Sequence, residues 1–391
     1  MAEPPLKGIR VIELARILAG PWAGQLLADL GADIIKVESP HGGDDTRKWG
    51  PPFVMSHDGE NLSAAYYHSC NRGKRSVAID FSKPEGADTL RRLVATADVL
   101  IENFKLGGLK KYGLDYESLK RINPRLIYCS ITGFGQDGPY APRAGYDFII
   151  QAMAGMMSIT GEVGREPQKA GVAISDLFTG LYSVIAIQAA LRHAERTGEG
   201  QHIDMALFDS QISALGNQNL NYLVSGKSPV QMGNAHMNIA PYEVLPVKDG
   251  HIILAVGNDG QFTKFCAAVG LTDLPANPDF ATNPARVANR AKLREQIIET
   301  LSTWDRDPLL AKLEGAGVPA SPINTIGQMF ADPQTIARGM RLDLDDGHGN
   351  LLPTVRAPMV MSGTPLVYER PSPRLGEHTE EILAELERSA K

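Results

Sequence analysis

The chain has 391 residues, more than one hydrophobic core usually serves, so two structural units are the default expectation. Hydrophobic residues make up 43% and charged residues 21%, the balance of a chain that folds along most of its length. A net charge of −6 argues against general electrostatic affinity for nucleic acid or anionic membranes, so any bound phosphate must meet a local basic patch.

The start, MAEPPLKGIR, lacks the basic opening, apolar run and cleavage site of a secretory signal, and no stretch reaches roughly eighteen unbroken apolar residues. Cys70, Cys129 and Cys266 are far apart and form no CxxC pair, so neither a disulfide framework nor a metal site is indicated. The expectation is a reducing compartment: the cytoplasm, or the mitochondrial matrix if a presequence has been removed.

Residues 9–14 read as a short buried strand, followed by Gly20-Pro21 and an apolar-periodic helix through Leu26, Leu27 and Leu30. Strand signals return at 34–37, 76–79, 99–101 and 126–131, with helices after Pro84 and around 118–122. Strands alternating with helices imply an α/β domain with a parallel sheet and crossover helices. From Asp147 to His193 the chain is mainly helical, interrupted by the glycine-rich stretch 161–171. A polar loop over 226–241 leads to a strand at 251–256 and a helix at 289–303. The division expected is a large domain over 1–225, rejoined by 330–391, and a linker loop with a smaller α+β domain over 226–329.

Individual motifs leave alternatives open. The first strand-to-helix turn, Ala15-Arg16-Ile17-Leu18-Ala19-Gly20-Pro21, is not GxGxxG, which disfavours a nicotinamide cofactor. Its backbone N–H groups could face an anion or a developing oxyanion, although an ordinary turn reads the same way. Asp176 follows Ser175, a good N-cap, at the start of an apolar helix. The helix dipole there keeps an acid ionised, and on position alone a capping acid is the commoner reading. Arg72, Lys74 and Arg75 cluster around Gly73, a patch that suits an adenosine phosphate but more often is a solvated turn. Asn103 and Phe104 end a strand, the edge where open α/β sheets place ligands, and Lys111 follows as a further phosphate partner.

Taken in order, the blocks Leu18-Ala19-Gly20-Pro21, Gly43-Asp44-Asp45-Thr46-Arg47, Asn71 through Ser76, Glu102-Asn103-Phe104, Ile131-Thr132-Gly133-Phe134-Gly135, Ala144-Gly145-Tyr146-Asp147, Ser175-Asp176 and Leu375-Gly376-Glu377-His378-Thr379 resemble the class III CoA-transferases, the CaiB/BaiF family. The resemblance runs from Leu6 to the C-terminus. It implies a Rossmann-like large domain with a smaller α+β domain, in an interlocked-ring homodimer. It also implies CoA thioesters and small carboxylic acids as substrates, with no resident cofactor or metal. Asp176 takes the family's nucleophile position, and a carboxylate suits that role because its acyl product remains activated enough to exchange with another carboxylate. CoA is placed against Leu18, Ala19, Asn103, Phe104 and Lys111.

Departures narrow the substrate. The loop Gly233-Asn234-Ala235-His236-Met237-Asn238 lacks the glycine run of the oxalate enzymes. Tyr146 stands where the racemases of this fold carry a histidine base, and a tyrosine near pKa 10 is a poor base at neutral pH. Runs such as Arg143-Ala144-Gly145-Tyr146-Asp147 resemble the members that act on dicarboxylates, which implies succinyl-CoA as donor and glutarate, hydroxymethylglutarate or a similar acid as acceptor. Oxalate-type or carnitine-type transfer, racemisation and non-catalytic acyl-CoA binding are the alternatives. A dicarboxylate leaves a distal carboxylate needing a partner, and Arg47, Arg143 and His236 are the candidates, with structural ion pairs an equal reading for the arginines.

Overall fold

The computed structural model describes residues 3–389, which fall into two compact units. One holds the chain up to Met156, the stretch Ala170–Ser225 and the chain from Pro333 onward; the other holds Met157–Lys169 and Gly226–Asp332. The glycine-rich stretch around 161 therefore belongs mostly with the second unit, whereas sequence placed it in the large domain. Gly233 N donates to Gly161 O at 3.0 Å and Gln231 Nε2 to Thr160 O at 3.0 Å, joining two segments distant in sequence.

The first unit is built on six parallel strands: β1 (Arg10–Glu13), β2 (Asp33–Glu38), β3 (Lys74–Ala78), β4 (Val99–Glu102), β5 (Ile127–Thr132) and β6 (His202–Ala206). Their order across the sheet is β3-β2-β1-β4-β5-β6. Alternate residues feed two cores, as a sheet covered on both faces requires. Val11, Ile34, Val99 and Ile127 meet α1 (Ala19–Asp29) and α4 (Ile174–Thr197) on one face. Ile12, Ile35, Leu100 and Tyr128 meet α2 (Pro84–Ala95) on the other, with Ile382 and Leu386 of the C-terminal helix. Two further helices, α3 (Asp147–Met153) and α5 (Leu207–Ala214), pack against α4, and α6 (Asn217–Ser225) follows. At 24 residues α4 has the length and apolarity to cross a membrane, yet it packs here on α1, α3, α5 and two strands of the sheet.

The second unit has its own core on a three-stranded antiparallel sheet, β7 (Tyr242–Val247), β8 (Gly250–Ala255) and β9 (Ala320–Ser321), in the order β9-β8-β7. Helices Asp259–Val269, Arg290–Leu301 and Arg306–Gly315 contribute Phe262, Phe265, Leu293, Ile297, Leu309 and Leu313 to that core.

Candidate active site

In the sheet of the first unit the strand order reverses between β1 and β4, and open α/β sheets bind ligands beyond the carboxyl ends of the strands at such a point. Residues 16–19 leave β1 there and residues 103–108 leave β4. The two turns are tied together: Asn103 Oδ1 accepts from Arg16 N at 2.9 Å and Asn103 Nδ2 donates to Arg16 O at 2.7 Å. Beside them the buried Glu102 carboxylate accepts from Phe104 N at 2.7 Å, and burial pushes its carboxyl up to about 7.

Around these turns opens a cavity of about 630 Å³, of the size usual for small-molecule sites. Leu18, Ala19, Asn103, Phe104, Lys111, Arg143, Tyr146 and Asp176 all line it. Arg16, Lys105 and Asp147 do so as well, and sequence reasoning gave none of them a role.

Asp176 is the third residue of α4. The expected Ser175 cap is corrected: the helix begins at Ile174, two residues earlier than that cap implies, so Ser175 is already helical and its hydroxyl donates to the buried Gln211 Oε1 at 2.7 Å. The cap comes from Asp147 at the start of α3, whose Oδ1 accepts from Ser175 N at 2.8 Å and from Asp176 N at 3.4 Å. Two glycines make this possible. Gly133, after β5, and Gly145 lie backbone on backbone, and a Cβ on Gly133 would stand 2.4 Å from Gly145 Cα, so the chain entering α3 is brought up to the strand end. Gly180, one turn beyond Asp176 on the same helix face, lets α1 approach; a Cβ there would meet Ala19 O at 2.8 Å. Asp147 was visible in sequence as an acid opening a helical stretch, the one signal that could have singled it out.

The Asp176 carboxylate makes no ion pair or hydrogen bond among the described residues. Burial, and after it the Asp147 charge, push it up to about 7. Tyr66 feels the same neighbours: burial first and Asp176 next push its hydroxyl up to about 12, so it stays protonated. Arg143 too has no ion pair among the described residues and lies 4.3 Å from the Tyr140 ring centroid, while Lys111 lies 4.7 Å from that of Tyr112. A half-buried, unpaired carboxylate in a cavity whose wall also carries Arg143 and Lys111 suits a nucleophile for an anionic substrate.

Four expected ligands are corrected, because their charges are already matched. Arg72 grips Asp29 at 2.9 and 2.5 Å, and Lys74 donates to both Glu13 oxygens, Asn71 Oδ1 and Pro21 O at 2.8–2.9 Å. Arg75 holds Asp33 at 2.9 and 2.6 Å and reaches Glu381 and Glu385. Arg47 grips Glu38 at 2.9 and 2.6 Å and donates to Tyr67 Oη at 2.6 Å. All four are buried and none lines the cavity. Turning such a cation to a substrate would strand a buried carboxylate. His236 lies in the second unit, where its ring packs on Tyr242 at 5.2 Å and Nδ1 accepts from Asn238 N at 3.1 Å.

Residues 6–379 match the model of CoA-transferase family III. The chain is 64% identical to the succinate–glutarate CoA-transferase of Agrobacterium fabrum, over 98% of this chain and 96% of that one. It is 41% identical to the human succinyl-CoA:glutarate CoA-transferase, over 98% and 86%. Its fold is similar to the crystal structure of a CaiB/BaiF family protein from Brucella suis, with a TM-score of 0.88 and 62% identity over 99% of this chain and all of that one. With the parallel sheet, the cavity at its switch point and an unpaired carboxylate in the cavity wall, this chain belongs to CoA-transferase family III and is an enzyme of the CaiB/BaiF type.

Proposed function

We propose that the protein moves CoA from succinyl-CoA to glutarate or a similar dicarboxylate, with Asp176 as the nucleophile. The unpaired Asp176 carboxylate, raised to about 7 in the cavity wall, carries this reading. The names of relatives 64% and 41% identical support the substrates. The Asp176 carboxylate attacks the thioester carbon of the donor, the C–S bond breaks, and CoA leaves as the thiolate from a mixed anhydride. The thiolate then attacks the Asp176 carbonyl, releasing the donor as its carboxylate and leaving an aspartyl-CoA thioester. The acceptor carboxylate repeats the two steps in reverse and restores Asp176. N–H groups of Leu18 and Ala19 face the oxyanions, and Asn103, Phe104, Lys111 and Lys105 hold CoA. Arg143 reads the distal carboxylate. Tyr146, also in the wall, contacts the acyl chain.

The same reading includes an interlocked homodimer. Phe148 and Ile149 of α3, Ile185 of α4, and Leu220, Leu223 and Val224 of α6 are exposed, each 45–83%, in the single chain, an apolar surface that a second copy covers.

The test uses succinyl-CoA with a panel of carboxylates, read by mass spectrometry. Asp176→Ala abolishes transfer, by roughly 10⁴-fold or more, while the melting temperature is retained. Hydroxylamine converts Asp176 of the turning-over wild-type enzyme to a hydroxamate. Near-normal turnover by Asp176→Ala would sink the mechanism.

A further inference from the structure

The turn that follows β1 contains a backbone outlier. Ile17 has φ of 74°, in the left-handed region where a β-branched side chain is strained and glycine is the usual occupant. Such a residue persists only where its surroundings over-determine it, and strain of this kind gathers at functional sites. Here two side chains hold it from either side. Asp44 accepts from Ile17 N with both carboxylate oxygens, at 3.3 and 3.2 Å. Asn103 holds both backbone groups of Arg16.

The Asp44 clamp is rooted in the sheet. Asp44 is 1% exposed, pairs with Lys36 at 3.0 Å, and accepts from the N–H and hydroxyl of Thr46 at 3.0 and 2.8 Å. Lys36 reaches Glu13 at 3.1 Å and Ala15 O at 3.0 Å, and Glu13 and Lys36 are register partners on β1 and β2. A glycine at position 17 would adopt the same φ without strain or clamp. The next two residues, Leu18 and Ala19, line the cavity with Asp176, and their N–H groups have no partner among the described residues.

We propose that Asp44 is a positioning residue for CoA transfer: by holding Ile17 in the left-handed region it fixes the path of residues 16–19 and the aim of the Leu18 and Ala19 N–H groups at the acyl carbonyl. This rests on the acyl-transfer reading of Asp176.

The test is a rescue. Asp44→Asn keeps the size of the side chain but turns one of the two oxygens that accept from Ile17 N into an amide donor, and gives up the charge that Lys36 holds, so the clamp is loosened. With succinyl-CoA and glutarate, kcat falls about tenfold or more while KM for succinyl-CoA stays within about twofold, because donors aimed at an oxyanion act in the transition state. Adding Ile17→Gly brings kcat back to within about threefold of the Ile17→Gly single variant, since glycine keeps a positive φ unaided. Losses that multiply in the double variant, or an unchanged kcat in Asp44→Asn, overturn the proposal. If Asp44→Asn does not fold, Thr46→Val removes the hydroxyl that orients Asp44 and leaves the buried charges intact; its kcat loss is rescued by Ile17→Gly or the proposal fails. Hydroxylamine trapping in the wild-type enzyme separates the two ideas. A missing adduct overturns the acyl-enzyme reading, whereas an adduct without rescue overturns only the clamp.

Discussion

Beneath the first turn of α1, Glu13, Lys36, Asp44 and Lys74 are shut inside the sheet, each no more than 1% exposed and each bonded to an opposite charge. Along the cavity wall, Asp176 and Arg143 form no ion pair among the described residues. The two sets differ in what water and neighbours leave undone. In the first, burial is answered by geometry: Lys36 would be lowered by burial, and the Asp44, Glu13 and Glu38 carboxylates outweigh it and hold it well above its ordinary value. In the second, the imbalance persists, and a substrate or a covalent bond is what removes it. The satisfied charges build the scaffold, and the unsatisfied ones are those proposed to act on the substrate.

The largest effect expected from that contrast is on stability. Lys74→Met leaves the fully buried Glu13 with Lys36 as its remaining cation, and breaking a buried pair costs about 3–5 kcal/mol. Urea denaturation should show that loss, while KM for succinyl-CoA in the folded enzyme stays within about twofold of wild type. A stable variant with a much higher KM would break the comparison, by making Lys74 a ligand after all.

Arg143→Ala is expected to act the other way round, sparing the fold and harming recognition. Its guanidinium has no ion pair to lose among the described residues, so the melting temperature should not fall. A charge-assisted hydrogen bond to a distal carboxylate contributes about 1.5–3 kcal/mol, so KM for glutarate and succinate should rise roughly 10- to 100-fold, and KM for butyrate about threefold at most. Equal rises for all three acids would move the reading of the distal carboxylate away from Arg143.

The sheet was legible in sequence because its strands are apolar runs punctuated by glycine and proline; β1, β2, β4 and β5 lie within a residue or two of where periodicity put them. β6 was passed over: His202-Ile203-Asp204-Met205 is no apolar run but alternates polar and apolar residues, the weaker signal of a half-exposed edge strand. Asp176 was legible through its resemblance, while its local chemistry was not: sequence cannot say that Asp147, 29 residues earlier, folds back onto its N–H. The clearest failure is the Arg72, Lys74 and Arg75 cluster. Three cations around a glycine read as an anion site because their partners, Asp29, Glu13 and Asp33, lie on other elements and look unrelated in the chain. Pairing is a tertiary fact, and it decides between ligand and scaffold.

The smallest effect sharpens the contrast within the cavity, where Asp147 does both jobs. Its Oδ1 caps α4, as a structural residue would, and its charge stands beside Asp176, as a functional one would. Asp147→Asn separates the two, because the amide oxygen can still accept from Ser175 N while the negative charge is gone. In the proposed mechanism Asp176 attacks as the carboxylate, so kcat/KM should rise with pH through the pKa of the free enzyme, about 7. Removing a like charge favours the ionised form, so the acid limb in Asp147→Asn moves to lower pH, by about half a unit to one unit. It stops short of the ordinary carboxylate range because burial, the larger cause, is unchanged. Stability follows the same proton. With Asp176 raised in the folded state, the native protein holds a proton that the unfolded chain has released between about pH 4 and 7, so stability falls as pH climbs through that window. In Asp147→Asn that fall should be shallower and end at lower pH. A variant that loses kcat equally at every pH, with the limb unmoved, would mean that Asp147 only caps the helix and that burial alone sets the reactivity of Asp176.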